Sequence, residues 1–254
     1  MGSGLPPGAA AAIERYLDAV DAAVPGLVVG LHACGSLALG DYQGERSDID
    51  VVVIVSSTPD REQRPLLSEI HRVVATRVDG PYLTADALAG APNAVGAVPY
   101  HVAGRFEFGN CYEVSPITWS ILVNQAITVR GDAPVALGCK ADDDAVREFS
   151  AANLTTYWAN WAQQFAGLIA ATSDDDAIEA DLVQWGVLGA PRVHCGANTG
   201  RVISKTAAGD YARATFGPEW HDLIDLALAS RAGTIREARV GDLRRATDLV
   251  LSIT

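Results

Sequence analysis

The spacing of hydrophobic positions changes character partway along the chain. Residues 9–23 place apolar side chains three and four apart, which predicts an amphipathic helix. GLVVGLHACG (26–35) is a short apolar run ending at a glycine turn, and DIDVVVIVS (48–56) is a second run. Strands buried on both faces read in this continuous way. REQRPLLSEIHRVVAT (61–76) returns to helical spacing through Leu67, Ile70 and Val74, with Pro65 tolerated near its start. RVDGPYLT (77–84), the alternating RFEFGNCYEVS (105–115) and ITVRG (127–131) predict further strands. Strands and helices interleaved at this spacing predict an α/β N-terminal domain, a mixed sheet with helices.

After GDAPVALGCKADDD (131–144), rich in Gly, Pro and Asp, strand signals stop. The stretches 142–171, 174–189, 204–216, 219–231 and 241–252 all read as helix, so an all-α C-terminal domain is expected. Ser173 before DDDAIEADLVQW is the expected N-cap of one of these helices, because acidic residues suit a helix's first turn. The Asp triplet 142–144 reads as a helix start in the same way. The predicted division is 1–140 and 141–254, and two domains offer a ligand cleft where they meet.

Hydrophobic residues make up 49% of the 254 and charged residues 20%, enough apolar material for a full core. No run of about 18 uncharged apolar residues exists to form a transmembrane helix. The N-terminus, MGSGLPPGAAAAIERYL, lacks a basic stretch and meets Glu14 and Arg15 early, which argues against a signal peptide. Cys34, Cys111, Cys139 and Cys195 are scattered without a C-x-x-C pair, as expected of reduced thiols in the cytoplasm. A net charge of −12 argues against a protein that coats nucleic acid and favours cationic small molecules.

The chemistry concentrates in HACGSLALGDYQGERSDIDVVVIV, His32 to Val55. Asp48 and Asp50 stand at i and i+2 where an aliphatic strand begins, so on a strand both side chains leave one face. Carboxylates there are costly unless a cation meets them. Gly35 lets the backbone approach an anion closely, and Ser36 supplies a hydroxyl and an amide to phosphate oxygens. Paired aspartates suit Mg²⁺, which prefers oxygen ligands and keeps room for substrate phosphates. An Asp-rich turn that merely caps a strand is the competing reading of either aspartate alone.

CGSLALGDYQGERSDIDVVVIV resembles the signature of the polymerase-β-type nucleotidyltransferases. That resemblance implies ATP or another NTP as co-substrate, Mg²⁺ (two ions), and transfer of a nucleotidyl group with release of pyrophosphate. It makes Asp48 and Asp50 the metal ligands and brings Ser36 and Ser47 to the triphosphate. VQWGVLGAPRVHCGANTGRVISKTAAGDYA with WHDLIDLALASRAG resembles the helical domain of the streptomycin 3″-adenylyltransferases, which also modify spectinomycin; ITWSILVNQAITVRGDAP resembles their linking segment. By this resemblance Asp79, where the family usually has glutamate, is the general base, and Arg192 and Lys205 reach the ATP phosphates. It also implies a helical domain that completes the ATP and acceptor site.

His194 and His221 lack metal-ligand spacing and read as structural; Trp158, Trp161 and Trp185 read first as packing residues. The leading expectation is therefore a cytoplasmic, Mg-dependent adenylyltransferase, monomeric or homodimeric, acting on a small hydroxylated, cationic acceptor such as spectinomycin or streptomycin. It has no nucleic-acid or membrane partner. Two other readings compete: the same chemistry on another metabolite or a protein side chain, and a low-turnover nucleotide-binding regulator. The intact aspartate pair and the sizeable second domain weigh against the regulator.

Overall fold

The computed structural model describes residues 4–254; Met1–Ser3, the start of the stretch read above against a signal peptide, lie outside the described residues. The chain forms two compact units, one ending at Asp142 and the other covering Asp143–Thr254. No helix among the described residues is long and apolar enough to cross a membrane. All four cysteines are free and buried.

The first unit is a six-stranded mixed sheet with helices. Its strands are β1 (Val28–Ala33), β2 (Ile49–Val55), β3 (Val78–Thr84), β4 (Val98–Val102), β5 (Arg105–Gly109) and β6 (Ile127–Arg130). Its helices are α1 (Pro7–Ala23), α2 (Gly35–Ala38), α3 (Gln63–Val73), α4 (Ala85–Ala89) and α5 (Pro116–Asn124). The order across the sheet is β5-β4-β3-β2-β1-β6. Only β2 and β3, which α3 connects, run parallel; the other neighbours are antiparallel. Val51–Val55 are all buried, and Asp50 is the one half-buried position of β2. Each such Val or Ile stabilises the fold by roughly 1.5–3 kcal/mol on burial. Ile13, Leu17 and Val20 of α1 and Leu67 and Ile70 of α3 join Val51, Val53 and Val55 in one core. Alternation along the strand therefore turns Asp50 away from that core.

The sheet departs from the sequence expectations at one edge. β4 was not expected, because Pro99 interrupts it and only Val98 and Val102 are aliphatic. The strand expected over 105–115 ends at Gly109. The segment read as linking begins with α5, for which Ser115 accepts the N–H of Thr118 and Pro116 sits in the first turn.

The second unit is helical: α6 (Asp143–Asn153), α7 (Ala159–Gln164), α8 (Ala166–Ala171), α9 (Ala180–Thr199), α10 (Lys205–Thr215), α11 (His221–Ala232) and α12 (Val240–Ile253). Asp143 and Asp144 occupy the first turn of α6, as expected. Ser173 does not cap a helix. It opens a turn leading into β7 (Ala177–Glu179), which pairs with β8 (Glu237–Arg239), and α9 starts only at Ala180. The reason is tertiary: the carbonyls of Asp174 and Asp176 accept the N–H groups of Gly241 and Val240, the unsatisfied donors at the start of α12. Trp158 and Trp161 lie in this unit's core, whereas Trp185 is exposed.

Candidate active site

The site starts where β1 runs out. The N–H of Cys34 still bonds to the carbonyl of Asp50 (2.9 Å), and the chain then turns at Gly35 with φ of 51°. A Cβ on residue 35 would lie 1.8 Å from Asp50 Oδ2, so only glycine lets this turn close over the carboxylate. The backbone N–H of Ser36 donates to the Asp50 carboxylate. The Ser36 hydroxyl is buried and has no hydrogen-bond partner among the described residues.

The loop before β2 is held from β3's side of the sheet. Arg77 pairs with Glu45 (2.6 Å) and donates to the carbonyls of Gly44 (2.6 Å) and Ser47. Ser47 is buried, and its Oγ accepts the N–H of Gln43 (3.0 Å). The exposed Asp48 follows at the end of this braced loop.

Asp79 is the register partner of Asp50 across the parallel β2–β3 pair. Next to it, Gly80 has φ of 149°, and a Cβ there would lie 1.8 Å from the carbonyl oxygen of Val51. The two strands come together at the carboxylates because residue 80 has no side chain. Asp79 is buried, with Oδ1 accepting from His101 Nδ1 (2.8 Å) and Oδ2 from the N–H of Ala103 (3.1 Å). Burial pushes the Asp50 carboxyl up to about 6, reinforced by the carboxylates of Asp48, Glu113 and Asp79 and opposed by the Ser36 N–H. Burial likewise pushes the Cys34 thiol up, with Asp50 and Glu113 adding to it. Glu113 accepts from the Cys111 thiol (2.9 Å).

These residues fit a hard divalent cation. The donors are carboxylate oxygens, negative charge accumulates at Asp50, and Ser36, whose N–H meets that carboxylate, carries a buried hydroxyl with no partner among the described residues. Among the described residues no group of three or more His, Cys, Asp or Glu side chains could hold a metal unaided. Two carboxylates completed by water and substrate phosphates is the arrangement Mg²⁺ favours.

The first unit thus brings Gly35, Ser36, Asp50 and Asp79 together, with Asp48 acting on Asp50 through its charge. His101, Ala103 and Glu113 join them without having been singled out in the sequence. His101 stands in a strand that showed no strand signal, and Glu113 stood inside an expected strand rather than a turn.

In the second unit, Arg192 is half-buried on α9, one residue past Pro191, which lies inside that helix. Lys205 opens α10 after Ser204, whose hydroxyl accepts the N–H of Ala207 (3.1 Å). The Lys205 ammonium lies 4.4 Å from the ring centroid of Trp185, whose indole N–H donates to Tyr157 (3.0 Å). His194 bonds to Tyr211 (2.8 Å) within its helical surroundings.

Residues 13–107 match the family model of the nucleotidyltransferase domain, and residues 162–253 match that of the aminoglycoside adenylyltransferase C-terminal domain. Among solved structures, the fold is similar to that of spectinomycin adenyltransferase AAD(9) from Enterococcus faecialis, determined with ATP and spectinomycin. The TM-score is 0.70 at 12% identity, over 96% of this chain and 98% of that one. No curated protein sequence matches the chain.

Proposed function

Because this chain belongs to the nucleotidyltransferases with an aminoglycoside adenylyltransferase C-terminal domain, we propose that it transfers AMP from ATP to a hydroxyl of an aminoglycoside-type antibiotic, spectinomycin or streptomycin. Pyrophosphate is the other product. One observation carries the reading: Asp50 and Asp79 are register partners at the strand ends, beneath a glycine turn that no other residue could close.

In this reading Asp48 and Asp50 hold Mg²⁺, and Gly35, Ser36 and Ser47 line the nucleotide phosphates. When bound, magnesium supplies positive charge that offsets the phosphate oxygens and the charge developing during transfer. The acceptor oxygen bonds to the α-phosphorus as the bond to the bridging oxygen of pyrophosphate breaks. Asp79 takes the acceptor's proton, within hydrogen-bond reach of the hydroxyl. Arg192 and Lys205 neutralise charge on the leaving pyrophosphate. Positioning and electrostatics supply most of the rate, as in phosphoryl transfer generally. The proposal sets the reaction in the cytoplasm, where ATP is available, and the net charge of −12 favours a cationic acceptor.

The test is pyrophosphate release by purified protein with MgATP and spectinomycin, streptomycin or no acceptor. Drug-dependent release with a product heavier by one AMP supports the proposal. ATP binding without release on either drug would redirect the same chemistry to another hydroxylated acceptor. The absence of both ATP binding and pyrophosphate release overturns the proposal.

A further inference from the structure

Asp79 does not stand alone in its strand. Nδ1 of His101 is 2.8 Å from Asp79 Oδ1 and 3.0 Å from the carbonyl oxygen of Val78, and both are acceptors, so this nitrogen carries the hydrogen. The other carboxylate oxygen accepts the N–H of Ala103. Ala103 and Gly104 form the two-residue turn joining β4 to β5, at φ of 49° and 78°. Positive φ at both positions suits a tight hairpin, but it is an unfavourable conformation for alanine, and such exceptions gather at functional sites. His101 is itself immobilised. Its ring stacks on His71 with centroids 3.9 Å apart and planes 10° from parallel. His71 Nε2 lies 2.7 Å from the Tyr82 hydroxyl, which lies 2.6 Å from the Tyr16 hydroxyl. Tyr16, His71, Tyr82 and His101 are all buried.

We propose that His101 is the positioning residue of Asp79: with the Ala103 N–H, its Nδ1–H sets the orientation in which the carboxylate receives the acceptor's proton. This rests on Asp79 being the base. A base must meet its proton at hydrogen-bond distance, and a side chain with free torsions would sample that geometry only part of the time. The two donors remove this freedom yet leave each oxygen a second lone pair for the incoming hydroxyl. The stack on His71 and the two tyrosines hold the donor as the donor holds the base. This is the relation of an orienting group to a catalytic base, built here from a β-hairpin.

The test compares five variants by kcat, KM for ATP and thermal midpoint, with MgATP and spectinomycin or streptomycin as probes. His101→Leu removes the donor and is expected to lower kcat on the order of 100-fold with KM for ATP unchanged. His101→Asn keeps an N–H near the Nδ1 position and is expected to restore most of that loss, which a purely structural role would not produce. His71→Leu disrupts the packing behind the donor and is expected to lower the thermal midpoint far more than kcat. Should His101→Leu fail to fold, His101→Gln, whose amide lies one carbon too far out, reads the same loss. Asp79→Asn separates this proposal from the reading beneath it. An inactive Asp79→Asn beside a folded His101→Leu or His101→Gln at parental kcat overturns the positioning role alone. Asp79→Asn at parental kcat, or a parent that neither binds ATP nor releases pyrophosphate, overturns the base reading and this proposal with it.

Discussion

The two units place their candidate site residues on different scaffolds, carboxylates on a sheet and cations on helices. The first gathers Asp48, Asp50 and Asp79 about the ends of β2 and β3 and Glu113 from a turn, and burial together with the neighbouring charges lifts the Asp50 carboxyl to about 6. The second presents Arg192 and Lys205 on helices α9 and α10, with Lys205 beside an exposed indole. Strand ends joined by a register pair and closed by a glycine turn leave the carboxylates little freedom to move. A half-buried side chain on a helix supplies charge with more latitude. The proposed function divides the labour accordingly: the first unit would govern the chemical step, and the second how tightly the nucleotide is held. Substitutions in the first should therefore appear in kcat, and those in the second in KM for ATP.

The largest expected effect falls on the rigid side. Gly35→Ala places a methyl group within 1.8 Å of Asp50 Oδ2, in a backbone conformation alanine avoids. Transfer should fall by about 1,000-fold or more, because the carboxylate must move. Steady-state kinetics on folded variant protein would show this, and parental kcat would break the comparison at its firmest point. Asp79→Asn should follow, costing about 100- to 10,000-fold in kcat with little change in KM for ATP, the range expected for loss of a general base. On the other side, Lys205→Ala should raise KM for ATP roughly 10- to 100-fold, the worth of one charged hydrogen bond, with a smaller fall in kcat. An effect confined to kcat would contradict the division.

The smallest effect is on stability. In metal-free protein the Asp50 carboxyl is raised from an ordinary 3.8 to about 6, so between those values the folded chain holds a proton that the unfolded chain has released. Stability therefore falls as pH rises through that window. Asp50→Asn removes the crowded charge, so its thermal midpoint without metal should exceed the parent's by a few degrees at about pH 8. The gain should shrink toward pH 4. Melting curves across pH in a chelating buffer would check both the sign and the window. Equal midpoints at every pH would mean that the carboxylates are not crowded.

The same division explains what could be read from sequence. The carboxylates announced themselves because an aliphatic run, Val51–Val55, begins with charge that needs a reason. The glycine turn before it belongs to the same local pattern, and so do α1, α3 and β1–β3, whose periodicities are carried by their own residues. β4 escaped because Pro99 interrupts a five-residue strand, and with it went His101 and Ala103, which hold Asp79 from 22 and 24 residues away. The acidic turn at Asp174–Asp176 imitates a helix start, but its carbonyls serve a helix more than 60 residues later. The extension of α9 through Pro191 has the same origin, since proline within a helix is paid for by packing that spacing along the chain does not reveal. Ser115 and Pro116 were a readable start signal for α5, obscured by the linking segment they open.

The most direct test of the account follows ATP labelled at its α-phosphorus, with spectinomycin or streptomycin as acceptor. The parent and Asp50→Asn are compared after both are shown to be folded by circular dichroism and thermal melting. The account predicts that the parent moves the label onto a drug while Asp50→Asn leaves it in ATP. Label transfer by Asp50→Asn at the parental rate would contradict the assignment of the chemistry to this strand end.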